Sequence, residues 1–335
     1  MKASIKAISY YLPPDIYSNV DYFNDFPELV NNANIARLGI KERHIAAPHY
    51  TASDLAVQSA LKLFEEHHID KNDIDFIIFC SQEFDYYTPA TACIIQERLG
   101  IPQQAGALDI NQGCSGYAYG LSLAKGLVEA CDRKNVLFLT SSTLTKTFHP
   151  KDKSSRYLFG DGAAATLVSA GDESGIGTFV FGTDGKGADK IIIRDGGARN
   201  PVSPTSKQEK ADDYGNITSN ANFYMNGTAI FNFALRKVPL MISDLLEKSK
   251  MEMESVDLFV FHQTNKFMND VIRKKIGIPE EKFVNFLESC GNTVSSTIPI
   301  ALYESIKSGQ AQKGQNILLA GFGTGLSWSA TIIKL

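Results

Sequence analysis

The sequence predicts a layered α/β fold, in which helices cover the faces of β-sheets. Short apolar runs alternate with longer segments of helical periodicity along almost the whole chain, and this alternation is typical of α/β proteins. One predicted helix, residues 115–131, carries Ala, Gly, Ser, Leu and Tyr on nearly every side, which favours a place inside the molecule. The chain has 335 residues, 44% of them hydrophobic, enough for a large core in about two domains.

The first half of the chain alternates predicted helices and strands. Helices are predicted over residues 53–66, 91–99 and 115–131, and strands over residues 75–80, 107–110, 135–140 and 163–168. In the first of these helices the apolar side chains from Leu55 to Phe64 recur at helical spacing, and Asp54 stands near the start. Residues 75–80 are a short apolar run, which is typical of a buried strand.

The second half follows the same rhythm of strand, candidate functional residue and helix. Helices are predicted over residues 228–250, 266–276 and 298–307, and strands over residues 257–261 and 315–320. Pro239 is expected to interrupt the first of these helices. Residues 198–220 are polar and lack apolar periodicity, so they predict a long surface loop. The shared rhythm leaves an internal duplication as a hypothesis, and the two halves are taken as residues 1–171 and 172–335.

Composition and charge exclude several classes of function. Lys and Arg number 33 against 37 Asp and Glu, a net charge of −4, so no nucleic-acid partner is expected. The five cysteines include no Cys-x-x-Cys pair, which argues against a disulfide framework and a metal site. The first residues lack an apolar core of signal-peptide length, and the apolar runs are too short to cross a membrane. We therefore expect a cytoplasmic protein without a membrane partner.

Cys114 is the first candidate for chemistry. It follows the predicted strand 107–110, lies between Gly113 and Gly116, and precedes the predicted buried helix. At the start of a helix the dipole favours a thiolate, and the glycines let a substrate approach the backbone closely. Most buried cysteines are small core residues, so this segment alone leaves both a nucleophile and a core residue open.

Three segments of the second half carry further candidates. His262 follows an apolar strand, at the kind of edge where loops present functional groups. Asn292, in a Gly-Asn pair, offers a neutral amide donor, although such a pair is also a common turn. Residues 321–328 are glycine-rich and could supply oxyanion-binding amides or form a tight turn. They match neither a Rossmann fingerprint nor a Walker A loop.

Seven short motifs, taken together, point to one family. In chain order they are Gly39–Ala46, Asn111–Gly116, Leu158–Ala165, Met225–Gly227, His262–Asn265, Gly291–Thr293 and Gly321–Trp328. Their residues and their order resemble the 3-oxoacyl-acyl-carrier-protein synthase III family of the thiolase superfamily. The resemblance spans nearly the whole chain.

The resemblance implies a fold and a reaction. The fold is thiolase-like: two similar halves about a pseudo-twofold axis, in five layers, in a homodimer. The reaction transfers an acyl group from acyl-CoA to a cysteine. A malonyl unit on acyl carrier protein then loses carbon dioxide and attacks the acyl-cysteine, which gives a 3-oxoacyl product on acyl carrier protein. No cofactor is implied, because the phosphopantetheine arms arrive with the two substrates.

The resemblance also assigns roles to residues. Cys114, His262 and Asn292 are the catalytic residues, with Cys114 as the nucleophile and the other two as donors to the enolate oxygen. The backbone amides of Cys114 and Thr324 form the oxyanion hole. The residues implied for pantetheine or substrate binding are Arg37, Asn226, Asn265 and Phe322.

Three positions depart from the family pattern. Thr88 stands where many members have a phenylalanine that crosses the dimer to close the acyl pocket, so a longer or bulkier acyl group is expected. Ala33 replaces the usual tryptophan that stacks on the CoA adenine, and Phe267 replaces an arginine implicated in carrier docking. These changes concern the substrate surfaces and leave the catalytic residues intact.

Two alternatives to the housekeeping reaction stay open. The chain could be a specialised relative from a secondary-metabolite or glycolipid pathway, including one that transfers acyl groups to oxygen or nitrogen. It could also be a non-catalytic partner subunit, although such subunits typically lose the cysteine. Binding of an acidic acyl carrier protein predicts a basic rim, whose candidates are Arg37, Lys41, Arg43, Lys266, Arg273, Lys274 and Lys275; ordinary solvated charges are the alternative for each.

Overall fold

The structure is a computed structural model that describes residues 1–212 and 215–335. Asp213 and Tyr214, which fall in the predicted loop 198–220, lie outside the described residues. The helices are α1 (Asn19–Asp25), α2 (Ala33–Ala36), α3 (Ala52–His67), α4 (Thr91–Leu99), α5 (Gly116–Ala130), α6 (Lys153–Leu158), α7 (Gly227–Ser249), α8 (Lys266–Ile276) and α9 (Thr297–Lys307). The strands are β1 (Lys2–Tyr11), β2 (Asp15–Ser18), β3 (Glu42–Ile45), β4 (Phe76–Ser81), β5 (Gly106–Asn111), β6 (Asn135–Ser142), β7 (Gly162–Gly171), β8 (Ile176–Thr183), β9 (Ile191–Ile192), β10 (Lys210–Ala211), β11 (Ile217–Thr218), β12 (Tyr224–Met225), β13 (Leu258–Phe261), β14 (Asn316–Gly323) and β15 (Ser327–Lys334).

Two sheets repeat one topology. The first has the strand order β1-β7-β6-β4-β5, and the second has the order β8-β15-β14-β13. In each, the first three strands are antiparallel neighbours and the next pair is parallel. Beyond β13 a single bridge joins Phe259 to Phe283, at the position that β5 takes in the first sheet. This repetition confirms the two similar halves, while the exact division at residues 171 and 172 stays a prediction.

The helices complete five layers. Helices α3 and α4 pack on the first sheet, and α7 and α8 form the corresponding layer at the second. Helices α5 and α9 contact strands of both sheets and form the central layer. The predicted inside position of α5 follows from its residues, since Tyr117, Leu121 and Val128 are fully buried. The predicted layered α/β fold, with its thiolase-like arrangement, is therefore confirmed.

Local sequence explains where the main helices begin. Helix α3 starts with a capping box, in which Thr51 and Asp54 each bond the other's backbone amide. Its buried face carries Leu55 and Leu63, and full burial of each such side chain contributes about 1.5–3 kcal/mol. The observed helix thus matches the predicted span 53–66 to within one residue at each end.

Three of the segments singled out in the sequence differ from their predicted structure. Helix α7 continues through Pro239, because the buried residues on either side of it hold the apolar face against the sheet. Within the predicted loop 198–220, β10 and β11 pair as a small hairpin. The glycine-rich stretch 321–328 is mostly strand: it comprises the end of β14, a short turn and the start of β15.

The described part of the chain contains no helix long and apolar enough to span a membrane. Within the same residues, no group of His, Cys, Asp and Glu is arranged to hold a metal ion. All five cysteines are free thiols.

Candidate active site

Cys114, His262 and Asn292 line one cavity of about 110 Å³. Each follows or precedes a regular element: Cys114 stands between β5 and α5, His262 directly after β13, and Asn292 before α9. The cavity wall also includes Phe322 of β14, whose ring lies edge-on to the imidazole of His262 at 6.0 Å. The structure therefore brings together three side chains that are up to 178 residues apart in the sequence (292 − 114).

The hairpin of β14 and β15 approaches Cys114 so closely that two of its residues must be glycine. A Cβ at Gly323 would lie 3.0 Å from the Sγ of Cys114, and a Cβ at Gly321 would lie 2.6 Å from the Cys114 carbonyl oxygen. With no Cβ in the way, the backbone amides of Thr324 and of Cys114 itself lie close enough to the sulfur to lower the pKa of its thiol. These are the two amides to which the family resemblance assigns the oxyanion hole.

The raised pKa of Cys114 favours the neutral thiol near pH 7. Burial raises its pKa from 9.0 to about 12, and the two amide hydrogen bonds lower it by less than burial raises it. The expectation that the start of α5 favours a thiolate is therefore wrong, because the loss of solvent raises the pKa by more than the nearby dipoles lower it. The thiol must lose its proton as it attacks.

His262 is buried and uncharged. Burial lowers the pKa of its imidazole from 6.5 to about 3, so the ring is neutral near pH 7. Its Nδ1 lies 2.7 Å from the Thr297 hydroxyl, which also lies 3.0 Å from the Val294 carbonyl oxygen. The hydroxyl has one proton, which it donates either to the Val294 carbonyl oxygen or to Nδ1. In the second arrangement Nε2 carries the imidazole proton and becomes a hydrogen-bond donor.

The Asn292 side chain is held with its amino group beside His262. Its Oδ1 accepts a hydrogen bond from the Val294 amide at 2.9 Å, which leaves Nδ2 at 3.5 Å from Nε2 of His262. Val294 directs its amide this way in a left-handed conformation, φ 55°, which costs a β-branched residue about 1–3 kcal/mol. The two nitrogens can therefore bind one shared oxygen atom.

The residues predicted to bind pantetheine occupy different places. Asn265 and Phe322 lie on the cavity wall. Asn265 also caps α8, with Oδ1 accepting from the Met268 amide at 2.8 Å. Asn226 caps α7 in the same way, with Oδ1 accepting from the Ala229 amide at 2.9 Å, and it stands between two wall residues. Both asparagines thus have a structural role, and their Nδ2 groups are the atoms left for a ligand.

Arg37 and Thr88 lie outside the catalytic cavity. Arg37 is exposed and stacks on the Phe267 ring, with its guanidinium carbon 4.7 Å from the ring centre. Phe267 in turn stacks on Phe231 at 5.8 Å. Thr88 is exposed on the segment 82–90, whose other residues line a second and larger cavity.

The second cavity adjoins the first and has a volume of about 960 Å³. The two cavities share the wall residues Gln82, Leu144, Ile191, Phe223 and Thr324. A ligand that outgrows the small cavity therefore has adjoining space along this shared wall.

Sequence reasoning missed three residues at the site. Thr297 orients His262 from 35 residues away in the sequence, so no local pattern marks it. Val294 orients Asn292 through a hydrogen bond only two residues along the chain, and the Gly-Asn pair before it was considered only as a turn or as a donor. Glu83 lines the second cavity, accepts a hydrogen bond from the Thr143 amide at 3.3 Å, and has a pKa raised from 4.5 to about 7 by burial. A lone carboxylate after an apolar strand was the only signal for Glu83.

Two of the proposed basic rim residues are not on the surface. Arg43 is fully buried between tyrosine rings, and Arg273 is buried with Nη1 donating to the Ile278 carbonyl oxygen at 3.0 Å. The Arg273 guanidinium is held inward because it donates to this backbone carbonyl, which lies just beyond the end of α8. Neither can contact an acyl carrier protein, so this expectation was wrong for both.

In sequence and in fold the chain is similar to one group of enzymes. Residues 108–185 match the family 3-oxoacyl-[acyl-carrier-protein (ACP)] synthase III, and residues 246–335 match the C-terminal family of the same description. A beta-ketoacyl-[acyl-carrier-protein] synthase III of Clostridium perfringens is 37% identical over 326 residues, which cover 97% of each chain. A solved 3-oxoacyl-(acyl-carrier-protein) synthase III is 46% identical with a TM-score of 0.98 over the whole of both chains. A 3-oxoacyl-(acyl-carrier protein) synthase of Burkholderia xenovorans is 31% identical with a TM-score of 0.92, covering all of this chain and 94% of its own.

Proposed function

This chain belongs to the 3-oxoacyl-acyl-carrier-protein synthase III family, and from that premise we propose that it condenses acyl-CoA with malonyl-acyl carrier protein. The product is a 3-oxoacyl group on acyl carrier protein, and the enzyme is an acyltransferase. The observation that carries the proposal is the convergence of Cys114, His262 and Asn292 on one cavity. No cofactor is needed, because each substrate brings its own phosphopantetheine arm.

The first half-reaction acylates Cys114. Its sulfur attacks the thioester carbonyl carbon, and the carbonyl oxygen becomes an oxyanion between the amides of Cys114 and Thr324. Collapse of this intermediate expels the CoA sulfur, which takes the proton that the cysteine gives up. Because burial raises the pKa of Cys114, the thiol carries its proton before the attack.

The second half-reaction forms the carbon–carbon bond. The malonyl carboxylate leaves as carbon dioxide, and its bonding electrons move to the thioester oxygen as an enolate. Nε2 of His262 and Nδ2 of Asn292 donate to that oxygen, an interaction that is stronger in the transition state than in the substrate. The enolate carbon then attacks the acyl carbonyl carbon, the Cys114 sulfur leaves as a thiolate, and one proton from solvent restores its thiol.

The donor pair favours condensation over acyl transfer to oxygen or nitrogen. Transfer to oxygen or nitrogen makes no enolate and therefore needs no second pair of donors beside the nucleophile. His262 and Asn292 are both present, and hydrogen bonds to Thr297 and Val294 hold their side chains in place. The pair of donors therefore supports carbon–carbon bond formation as the function of the site.

We extend the proposal to the acyl donor. The catalytic cavity adjoins a much larger one, and the small side chain of Thr88 lies on the segment that lines it. Both features support a donor longer or bulkier than acetyl. A panel of acyl-CoA donors from acetyl to octanoyl tests this, and turnover of acetyl-CoA without turnover of octanoyl-CoA would contradict it.

We also infer a homodimer. Strand β5 is the edge of the first sheet and pairs only with β4 among the described strands, so its other side is a template for a second chain. Tyr86 and Tyr87 lie nearby on the segment 82–90, and Tyr87 is 91% exposed. Analytical ultracentrifugation tests this inference, and a monomer at micromolar concentration would contradict it.

A cytoplasmic location completes the proposal, because acyl-CoA and acyl carrier protein are substrates of that compartment.

Intact-protein mass spectrometry tests the reaction itself. After incubation with acyl-CoA, the chain is expected to gain one acyl group, and Cys114→Ala is expected to gain none. Addition of malonyl-acyl carrier protein should then remove the acyl group and yield carbon dioxide and 3-oxoacyl carrier protein. A chain that gains no acyl group with any donor would instead be a non-catalytic subunit.

A further inference from the structure

Arg43 is a buried cation that the proposed mechanism does not use. Its side chain, in β3, is fully buried, and it makes no ion pair with any of the described carboxylates. Nε donates to the Tyr157 carbonyl oxygen at 2.6 Å, and Nη1 donates to Oδ1 of Asn19 at 2.7 Å. The guanidinium lies 4.2 Å from the centre of the Tyr157 ring, while Nη2 has no hydrogen-bond partner among the described residues. A buried cation without a counter-ion is costly, so its position needs a reason.

The carbonyl that Arg43 binds belongs to the segment that holds Asn292. Tyr157 is near the end of α6, and the next residues pair with the catalytic loop. The Asn292 amide donates to the Leu158 carbonyl oxygen at 2.9 Å, and the Gly160 amide donates to the Asn292 carbonyl oxygen at 3.1 Å. The backbone of Asn292 is therefore bound on both sides by the segment that Arg43 anchors.

The aliphatic part of Arg43 also packs against that pairing. A Cβ at Gly291 would lie 3.1 Å from Cγ of Arg43, and a Cβ at Gly160 would lie 3.3 Å from its Cβ. Gly291 has a φ of +64°, so the loop turns sharply immediately before Asn292. The Arg43 side chain thus packs against the backbone of both paired segments, at Gly160 and at Gly291, and also donates to the Tyr157 carbonyl oxygen just before the pairing.

We propose that Arg43 is a positioning residue for Asn292. It holds the 157–160 segment and the turn at Gly291 in register, and so sets where the Asn292 amide meets the enolate oxygen. The oxyanion hole is built from Cys114 and Thr324, on other elements. Loss of Arg43 should therefore impair decarboxylation and condensation while sparing acylation. The inference rests on the proposed condensation, in which Asn292 acts only in the second half-reaction.

Two substitutions and one matched control test the proposal. Arg43→Met keeps the apolar stem and removes the donors, and Arg43→Lys keeps the charge but cannot hold two acceptors in one plane. Arg273→Met removes another buried arginine that bonds a backbone carbonyl, away from the site. Acylation is measured by mass spectrometry with acyl-CoA alone, and decarboxylation by release of carbon dioxide from malonyl-acyl carrier protein.

We expect Arg43→Met to acylate Cys114 at close to the normal rate and to condense on the order of 100-fold more slowly, the loss typical of a small misplacement of a catalytic group. Arg43→Lys should recover part of the condensation rate. Arg273→Met should leave both rates unchanged, even where its melting temperature falls. Equal losses in acylation and condensation for both Arg43 variants would show a general structural role and overturn the proposal. Where Arg43→Met does not fold, Arg43→Lys alone decides by the same comparison.

The variant Asn292→Ala separates this proposal from the proposed function. In a double variant, Arg43→Met should slow condensation no further than Asn292→Ala alone, because a positioning residue acts only through the group that it positions. Multiplied losses would overturn the positioning role. Condensation at the normal rate by Asn292→Ala would refute the roles of both residues. Slow condensation by Asn292→Ala together with normal condensation by Arg43→Met would refute the role of Arg43 only.

Discussion

Replacing Gly323 with alanine places a methyl group between the β14–β15 hairpin and the nucleophile. The new Cβ would lie 2.9 Å from Cβ of Cys114 and 3.0 Å from its sulfur. Non-bonded carbon atoms prefer about 3.5–4.0 Å, so the hairpin must retreat by roughly 0.5 Å or more. Thr324 follows Gly323 directly, and its amide would move away from the oxyanion with the rest of the turn.

The size of the effect follows from the loss of one oxyanion donor. Such a loss typically slows the chemical step by about 100- to 1,000-fold. Both half-reactions pass through a tetrahedral oxyanion at the same place, so Gly323→Ala should slow acylation and condensation alike. Overpacking of this kind also costs about 1–3 kcal/mol in the free energy of unfolding.

The assay compares acylation rates of Gly323→Ala and Gly126→Ala by rapid-quench mass spectrometry. Gly126 lies in α5, and a Cβ there would meet no atom within 4 Å. Gly126→Ala should therefore acylate normally and gain roughly 0.5–1 kcal/mol in stability from the loss of helical glycine. Acylation of Gly323→Ala at the normal rate would refute the argument that close approach of the hairpin builds the oxyanion hole.

Four further predictions, on three variants, concern the catalytic side chains and the groups around them. Thr297→Val removes the hydroxyl at Nδ1 of His262. Loss of one hydrogen bond of about 1.4 kcal/mol should slow condensation about tenfold and should change the ¹⁵N NMR signals that report the imidazole tautomer. An unchanged spectrum would contradict the role of Thr297 in orienting His262. Burial raises the pKa of Glu83 from 4.5 to about 7. The stability that its protonated form contributes is therefore complete below pH 4.5 and is lost as the pH rises to about 7. Because Gln stays uncharged, Glu83→Gln should raise the melting temperature, relative to the parent, more at pH 8 than at pH 5. The same variant removes a negative charge near Cys114 and should speed alkylation of its thiol by iodoacetamide, which an unchanged rate would contradict. His262 has a pKa lowered from 6.5 to about 3, so the stability that depends on its neutral form is complete above pH 6.5 and declines as pH falls toward 3; His262→Asn should flatten that decline in thermal melts.

The predicted fold came from strands and helices whose burial is visible in composition. Strands β4, β6 and β14 are buried on both faces and form short apolar runs, which is why they were predicted. Strand β15 was missed because its buried residues include Ser327, Ser329 and Thr331. These hydroxyls are satisfied by contacts far along the chain, such as that of Ser329 with the Ser115 carbonyl oxygen at 2.7 Å. A local pattern cannot show such a partner.

The candidate site was predictable in its chemistry and less so in its support. Cys114, His262 and Asn292 each stand where a strand or loop gives way to another element, and the motifs around them match one family. The groups that orient them act across long separations: Thr297 is 35 residues from His262, and the Arg43 bond to Tyr157 spans 114 residues. The pKa of Cys114 is raised because the hairpin buries its thiol. The glycines of residues 321–325 allow this close approach, but their presence in the sequence does not show which residue the hairpin covers.

The central claim is that Asn292 serves carbon–carbon bond formation and not acylation. The most direct measurement is a comparison of both half-reactions in Asn292→Ala, with acyl-Cys114 followed by mass spectrometry and 3-oxoacyl product formed from malonyl-acyl carrier protein. The predicted result is acylation at close to the normal rate with condensation slowed about 100- to 1,000-fold, as for loss of one fixed donor to an oxyanion. Condensation at the normal rate, or an equal loss in both half-reactions, would contradict the claim.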